Sequence, residues 1–211
     1  FCSVTLSANY HDILKDRLYT LAPCDPLRRS SQSAIHQIFK GIVTMLAPLL
    51  PFTSDEAWAH LQNDSDFCDE PLLLQNWPSL PDYYKSNNEA AEIEQILLFK
   101  SSAVNEKLEA IRETKEIGQS LDVEIHIAAD AESELFSVLK KYESSLPELF
   151  IVSSVILEPQ SNEQPVVTAT HAPGVRCPRS WRWVPELVNT ETWGEVSPRC
   201  KNTLDQIRKS S

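Results

Sequence analysis

The chain contains 211 residues, of which 42% are hydrophobic and 23% charged. This balance excludes disordered and fibrous classes, and the length suits one large domain or two to three small ones. No apolar run approaches the roughly 18 residues of a membrane span, and the chain starts without a signal-peptide pattern or an initiator methionine. Five cysteines, most of them far apart, favour a reducing compartment over a secreted disulfide framework. We therefore expect a globular, cytoplasmic piece of a longer protein without membrane contact.

The net charge of −11 is unevenly distributed along the chain. Residues 1–50 carry five Lys and Arg against three acidic residues, and residues 171–211 carry seven against four. Residues 51–170 carry seven against 23, so an acidic middle separates two weakly basic ends. Basic ends can attract a polyanion such as RNA. Because their excess charge is only +2 and +3, an ordinary acidic protein remains an open alternative.

Residues 1–85 predict a helical domain. Apolar residues recur at helical spacing after a start at Asp25-Pro26. Thr53-Ser54-Asp55-Glu56 has the pattern of a capping box and predicts the start of a further helix. Trp58 and Trp77 stand among apolar residues, so both are assigned to the core.

Residues 86–170 predict a small α+β domain. Apolar positions from Ile93 to Ile111 mark one long amphipathic helix. Residues 121–127 alternate between apolar and polar, which predicts a half-buried strand. The other predicted elements are a helix and two strands, over residues 131–142, 149–157 and 165–170.

Residues 171–211 predict a tail built on the frame of a zinc module. Cys177 and Ser180, then Ser197 and Cys200, occupy positions that would read C-x2-C twice if all four were cysteine. A neutral hydroxyl is a poor zinc ligand, because the metal requires deprotonated sulfur or imidazole nitrogen. We therefore expect weak zinc binding or none, and a tail held by packing of its tryptophans.

Two other arrangements of this tail remain open. His171 can supply a third ligand beside Cys177 and Cys200, although a three-ligand structural site is unusual. A Cys177–Cys200 disulfide is geometrically possible, because two residues that would share one metal lie close together. A reducing compartment opposes this disulfide.

Arginine and tryptophan are concentrated around the zinc frame. Guanidinium groups contact phosphates and aromatic rings stack on unpaired bases, so this mixture suits RNA, and we expect no DNA partner. Two arginines at a helix start, where the dipole disfavours positive charge, and two basic residues of the first helix extend the candidate surface. The predicted RNA-binding residues are Lys15, Arg17, Arg28, Arg29, Arg179, Trp181, Arg182, Trp183 and Arg199.

Each of these assignments has a simpler alternative. Lys15 and Arg17 can form ion pairs with Asp12 and Asp16. Either Trp181 or Trp183 can serve packing alone, and in a strand both would share one face with Arg182 on the other. No catalytic motif, glycine-rich phosphate loop or histidine metal motif occurs, so no active site and no cofactor is expected in this chain.

Several stretches follow, in order, the pattern of one enzyme family. Tyr10 to Thr20 (YHDILKDRLYT) is followed by residues 28–34 (RRSSQSA) and 46–58 (LAPLLPFTSDEAW), and residues 115–125 read KEIGQSLDVEI. With the Cys/Trp block, these segments resemble the anticodon-binding helices, the junction and the zinc-binding tail of bacterial-type isoleucyl-tRNA synthetases. The segment 46–58 is shared with valyl and leucyl enzymes, whereas KDRLYT and IGQSL favour the isoleucyl enzyme.

The resemblance implies an α+β chain with a helical anticodon-binding domain (1–85), a junction domain (86–170) and a zinc-ribbon-like tail (171–211). It implies the C-terminal portion of a cytoplasmic class I ligase that charges tRNA(Ile) with isoleucine at the expense of ATP. ATP and Mg²⁺ would bind only in a catalytic domain that this sequence lacks. The implied partners are tRNA(Ile) and the rest of the synthetase chain, in a monomeric enzyme.

Two other classes remain open at this point. The chain can be a stand-alone RNA-binding module without a ligase. It can also be a protein-interaction domain that kept the fold and lost its RNA role together with two cysteines.

Overall fold

The computed structural model describes residues 1–62, 71–79, 88–115, 117–161 and 164–210. Contacts divide the chain into two compact units, one formed by residues 1–23 and 88–211 and the other by residues 24–87. The described α-helices are α1 (Asp12–Thr20), which a π-helix over Cys2–His11 precedes, α2 (Pro26–Leu46), α3 (Pro51–Gln62), α4 (Asn88–Phe99), α5 (Asn105–Glu113), α6 (Glu134–Lys141), α7 (Leu146–Phe150) and α8 (Pro198–Ser210). The described strands are β1 (Val123–Ala129), β2 (Ser154–Pro159), β3 (Val166–His171), β4 (Val175–Arg176), β5 (Trp183–Val184), β6 (Val188–Thr190) and β7 (Gly194–Val196).

These elements confirm the predicted α+β class. The three predicted domains, 1–85, 86–170 and 171–211, stay a prediction beside the two units that the contacts define. Within the described ranges, no helix combines the length and apolarity that a bilayer crossing needs.

A three-stranded sheet forms the centre of the first unit. β1 lies between β2, which is parallel to it, and β3, which is antiparallel. The strict alternation of residues 121–127 has the predicted effect, because Val123, Ile125 and Ile127 are fully buried. α4 and α5 contribute Ile96 and Leu108 to the same core.

The predicted long amphipathic helix is present as α4 and α5, joined by a π-helical segment over Lys100–Val104. Lys100 is buried there, and its ammonium group donates a hydrogen bond of 2.8 Å to the carbonyl of Leu149. Burial lowers the pKa of Lys100. A cation on the last carbonyls of α7 satisfies a helix end that would otherwise lack a partner.

The strand predicted over residues 149–157 is partly wrong. Its first residues belong to the short helix α7, and β2 begins only at Ser154. Leu146, Leu149 and Phe150 are all buried, at a spacing that brings them to one helical face. A short apolar run does not distinguish helix from strand, because it fits both periods. Tertiary packing decides that these residues form a helix.

The second unit contains α2 and α3. Asp25 caps α2 as predicted, accepting a hydrogen bond of 2.9 Å from the amide of Leu27, with Pro26 at the first helical position. The capping box predicted at Thr53 is wrong, because α3 already begins at Pro51. Proline suits a first helical position, where its missing amide hydrogen costs nothing.

The two core tryptophans predicted for this part of the chain behave differently. Trp58 is buried and packs with Val43, Ala47 and Leu72, as predicted. Trp77 is 66% exposed, so its assignment to the core is wrong. It follows the 3₁₀ turn Leu72–Leu74, of which only the first leucine is buried.

The tail of the first unit consists of two short antiparallel pairs, β4 with β5 and β6 with β7, followed by α8. Gly174 precedes β4 with φ of +97°, and a side chain there would meet the carbonyl oxygen of Val184 at 2.2 Å. This close approach of two backbones requires glycine. These elements by themselves do not establish the predicted zinc ribbon.

Candidate nucleic-acid interface

The four positions of the zinc frame come together in the tail. A turn follows β4, closed by hydrogen bonds from the amide of Cys177 to the carbonyl of Arg182 (2.9 Å) and from the amide of Trp181 to the carbonyl of Cys177 (2.8 Å). On the other side, Ser197 caps α8, because its hydroxyl accepts a hydrogen bond from the amide of Cys200 at 3.3 Å. The amide of Ser197 donates to the Cys177 sulfur at 3.3 Å.

The sulfur atoms of Cys177 and Cys200 lie 3.8 Å apart and are buried. Val196 completes this small core, with Val184, Leu187 and Leu204 packed against it. Burial alone would raise the pKa of the Cys177 thiol, but hydrogen bonds from Ser180 and Ser197 outweigh burial and lower the pKa to about 6. The two serines therefore act as hydrogen-bond donors that stabilise a thiolate.

Zinc does not fit this set of residues. A closed structural zinc site needs four deprotonated sulfur, nitrogen or carboxylate ligands, and the cluster offers two sulfurs and two hydroxyls. His171 is engaged elsewhere, with its Nδ1 2.8 Å from the carbonyl of Ala172 and its ring 4.5 Å from that of Trp183. Among the residues that the structure describes, no group of three or more metal-ligating side chains is found.

Asp16 joins α1 to the tail, a role that the sequence analysis missed. Its carboxylate pairs with Arg199 at 2.6 Å and with Arg182 at 3.4 Å. Thr20 adds to this junction, because its hydroxyl accepts from Arg199 at 2.8 Å and its carbonyl accepts from Arg179 at 2.6 Å. Three arginines predicted to bind RNA thus contact one turn of α1. The aspartate could not be identified in advance, because its arginine partners lie more than 160 residues away.

Arg17 is also engaged within the fold. Its guanidinium group makes two hydrogen bonds, of 2.5 and 2.9 Å, to the carboxylate of Glu148 in α7. This bidentate geometry is the strongest form of such a pair. Lys15 instead pairs with Asp12 on the exposed surface of α1, as the alternative interpretation anticipated.

Trp181 and Trp183 of the tail have different environments. Trp183 is half-buried in β5, and its indole donates a hydrogen bond of 3.0 Å to Asp122. Trp181 is 55% exposed and lies in the turn with φ of +63°, so the shared strand face expected for the two rings is wrong. The guanidinium carbon of Arg176 is 5.6 Å from the centre of the Trp181 ring.

The carboxylate of Asp122 fixes the position of Trp183 in the tail. Beside Trp183, its carboxylate accepts hydrogen bonds from the amides of Gly118 (3.1 Å) and Gln119 (2.9 Å). Burial raises the pKa of Asp122, whereas these three donors lower it, and the net direction is downward. The IGQSLD segment, quoted above for its resemblance, therefore positions Trp183.

Arg28 and Arg29 belong to the other unit, in the first turn of α2. Arg28 is half-buried and Arg29 is exposed. The nine predicted residues thus comprise side chains engaged in the fold and exposed ones.

Comparison with known proteins defines the class first. A family model described as the anticodon-binding domain of tRNA ligase matches residues 1–127. The chain belongs to this family.

The curated relatives are more specific. Isoleucine–tRNA ligases of Natranaerobius thermophilus, Fervidobacterium nodosum and Thermotoga petrophila are 35%, 37% and 33% identical to this chain. Each alignment covers 99% of this chain and 23% of the relative. The chain therefore spans about a quarter of the length of the curated relatives it matches.

Proposed function

We propose that this chain is the tRNA-binding, C-terminal portion of an isoleucine–tRNA ligase, an enzyme that attaches isoleucine to tRNA(Ile) using ATP. The observation that carries the proposal is the match of isoleucine–tRNA ligases along 99% of the chain, together with the anticodon-binding family model. The stand-alone module and the protein-interaction domain receive no such support. The proposed partners are tRNA(Ile) and the remaining part of the ligase.

Within this proposal, the exposed residues are the first candidates for RNA contact. Trp181 presents an open ring beside Arg176, and aromatic rings of this kind stack on unpaired bases. Lys15 and Arg29 are exposed basic side chains suited to phosphates. Arg17 and Arg182 are more deeply placed and support the fold that carries these groups.

A salt titration of tRNA(Ile) binding tests the proposal. Each phosphate contact releases counterions, so log K should fall linearly with log salt concentration. Replacing Arg28 and Arg29 by Ala should reduce the slope by up to about two units. The matched control replaces Lys107 and Lys140, two lysines that pair with Glu106 and Glu143, and should leave the slope unchanged.

Two results would contradict the proposal. Equal affinity for tRNA(Ile) and for an unrelated acidic polymer would show that the chain does not recognise tRNA(Ile) specifically. An unchanged slope in the Arg28/Arg29 variant would show that these two residues do not contact the RNA. The family assignment would not be affected.

The catalytic part of the proposal concerns the full-length ligase. This sequence contains no nucleotide-binding motif. We therefore expect the isolated chain to show no isoleucine-dependent pyrophosphate exchange, and detectable exchange would contradict this expectation. We also propose that the ligase acts in the cytoplasm as a monomer and that this chain needs no cofactor.

A further inference from the structure

Two of the cysteines described in the structure are buried and in contact. Cys2 and Cys24 are exposed, whereas Cys177 and Cys200 are 0% and 1% exposed with their sulfurs 3.8 Å apart. We infer that Cys177 and Cys200 form a reversible intrachain disulfide at the place where a zinc knuckle holds its metal. This inference concerns the tail itself and does not depend on the proposed function.

The geometry already brings the two sulfurs together from separate elements. Cys177 stands at the start of the turn after β4, and Cys200 lies in the first turn of α8. A disulfide requires the sulfur–sulfur distance to shorten from 3.8 Å to about 2 Å, a small movement within this apolar core. The bond would close a loop that contains β5, β6 and β7, which restricts the unfolded tail.

The environment also distinguishes the two sulfurs. The Cys177 sulfur accepts a hydrogen bond from the amide of Ser197 at 3.3 Å, and Ser180 and Ser197 together lower the pKa of its thiol. Donors directed at sulfur favour the thiolate, which is the nucleophilic form. Cys177 is therefore the attacking residue and Cys200 the resolving one.

Burial determines the class of oxidant. The sulfurs have almost no exposed surface, so hydrogen peroxide suits them as a small oxidant. The Cys177 thiolate attacks one peroxide oxygen, the O–O bond breaks, and the departing hydroxide takes a proton to become water. The Cys200 sulfur then attacks the sulfenic acid at Cys177, the S–O bond breaks, and a second water leaves. Two thiols are oxidised, peroxide is reduced, and a dithiol reductant reverses the reaction by exchange.

The test uses the full chain with Cys2, Cys24 and Cys68 replaced by Ser, so that only the buried pair can react. Cys68 lies outside the described residues. Limited hydrogen peroxide should lower the intact mass by two hydrogen atoms and yield one linked peptide containing Cys177 and Cys200. A dithiol reductant should restore the original mass. Peptide mapping of the unaltered chain should give the same link, which provides an answer if the triple variant does not fold.

A matched variant separates the two roles. With Cys200→Ser added, oxidation should stop at a single oxygen on Cys177, trapped by a sulfenic-acid reagent. Three results would overturn the inference: free thiols throughout peroxide treatment, independent oxidation of both sulfurs without a link, or stoichiometric zinc in the purified chain that protects both thiols.

Discussion

Individual side chains decide the chemistry of the tail. In a zinc knuckle, the positions of Ser180 and Ser197 would be thiolates that share a metal with Cys177 and Cys200. In this chain, Ser180 and Ser197 lower the pKa of the Cys177 thiol, and the amide of Ser197 donates to its sulfur. The positions that form a metal site in a zinc knuckle therefore hold a buried pair of thiols in this chain.

The pKa of Cys177 can be tested directly. It is lowered to about 6, compared with about 8.5 for a free thiol. Since the folded-state value lies below the unfolded one, the stabilisation is fully present above pH ~8.5 and is lost as the pH falls through about 6. Thiolate absorbance followed against pH, in the chain without Cys2, Cys24 and Cys68, should show this midpoint.

A serine substitution should move the same midpoint. A hydrogen bond to a charged group contributes about 1.5–3 kcal/mol, so Ser197→Ala should raise the pKa of Cys177 by roughly one unit or more. Thr203→Ala is the control, because this buried hydroxyl donates to the carbonyl of Arg199 instead. If the chain that keeps Ser180 and Ser197 already shows the pKa of a free thiol at Cys177, the assigned hydrogen bonds are wrong.

Among the elements, α1 has an unexpected set of contacts. The sequence places it with the other N-terminal helices, whereas its contacts join it to α7 and to the tail. Ile13 enters the core around β1, and Asp16 receives Arg182 and Arg199. The candidate RNA-binding arginines of the tail are therefore positioned by a helix that precedes them by more than 150 residues.

Removing the carboxylate of Asp16 should loosen the tail. The side chains of Arg182 and Asp16 are only 15% and 18% exposed, so Asp16→Ala leaves a largely desolvated guanidinium group without its partner. We expect a loss of about 2–4 kcal/mol in the free energy of unfolding. Urea unfolding measures this loss, and hydrogen exchange should locate the increased opening in residues 171–210.

Asp12→Ala is the matched control for this experiment. Asp12 pairs with Lys15 on the exposed side of the same helix, and exposed ion pairs contribute about 0.2–1 kcal/mol. Equal effects of the two substitutions would show that the Asp16 contacts do not hold the tail.

Elements with a strong period were predictable. The long helix and β1 follow directly from spacing, because periods of about 3.6 and 2 residues assign their apolar side chains to one face. α7 was not predictable, because its few apolar residues fit either period. The exposure of Trp77 was not predictable either, since local apolar neighbours do not specify which side chains a folded chain covers.

For the whole molecule, metal content provides the clearest measurement. We expect the purified chain to contain no stoichiometric zinc and a chelator to leave its thermal unfolding unchanged, because two hydroxyls cannot replace two thiolates. Replacing Ser180 and Ser197 by Cys should create a site with one zinc per chain and make unfolding sensitive to chelator. Zinc bound through Cys177 and Cys200 in the unaltered chain would contradict this prediction.

The sequence by itself determined the family, the α+β class and the incomplete zinc frame, because ordered segments and ligand spacing are local properties that need no coordinates. Only the tertiary structure decided which cations are engaged within the fold, since Arg17, Arg182 and Arg199 meet their carboxylates across more than a hundred residues of chain. It also brought two distant thiols into contact inside an apolar core. Long-range contacts of this kind arise from the packing of whole elements, and no short segment encodes them.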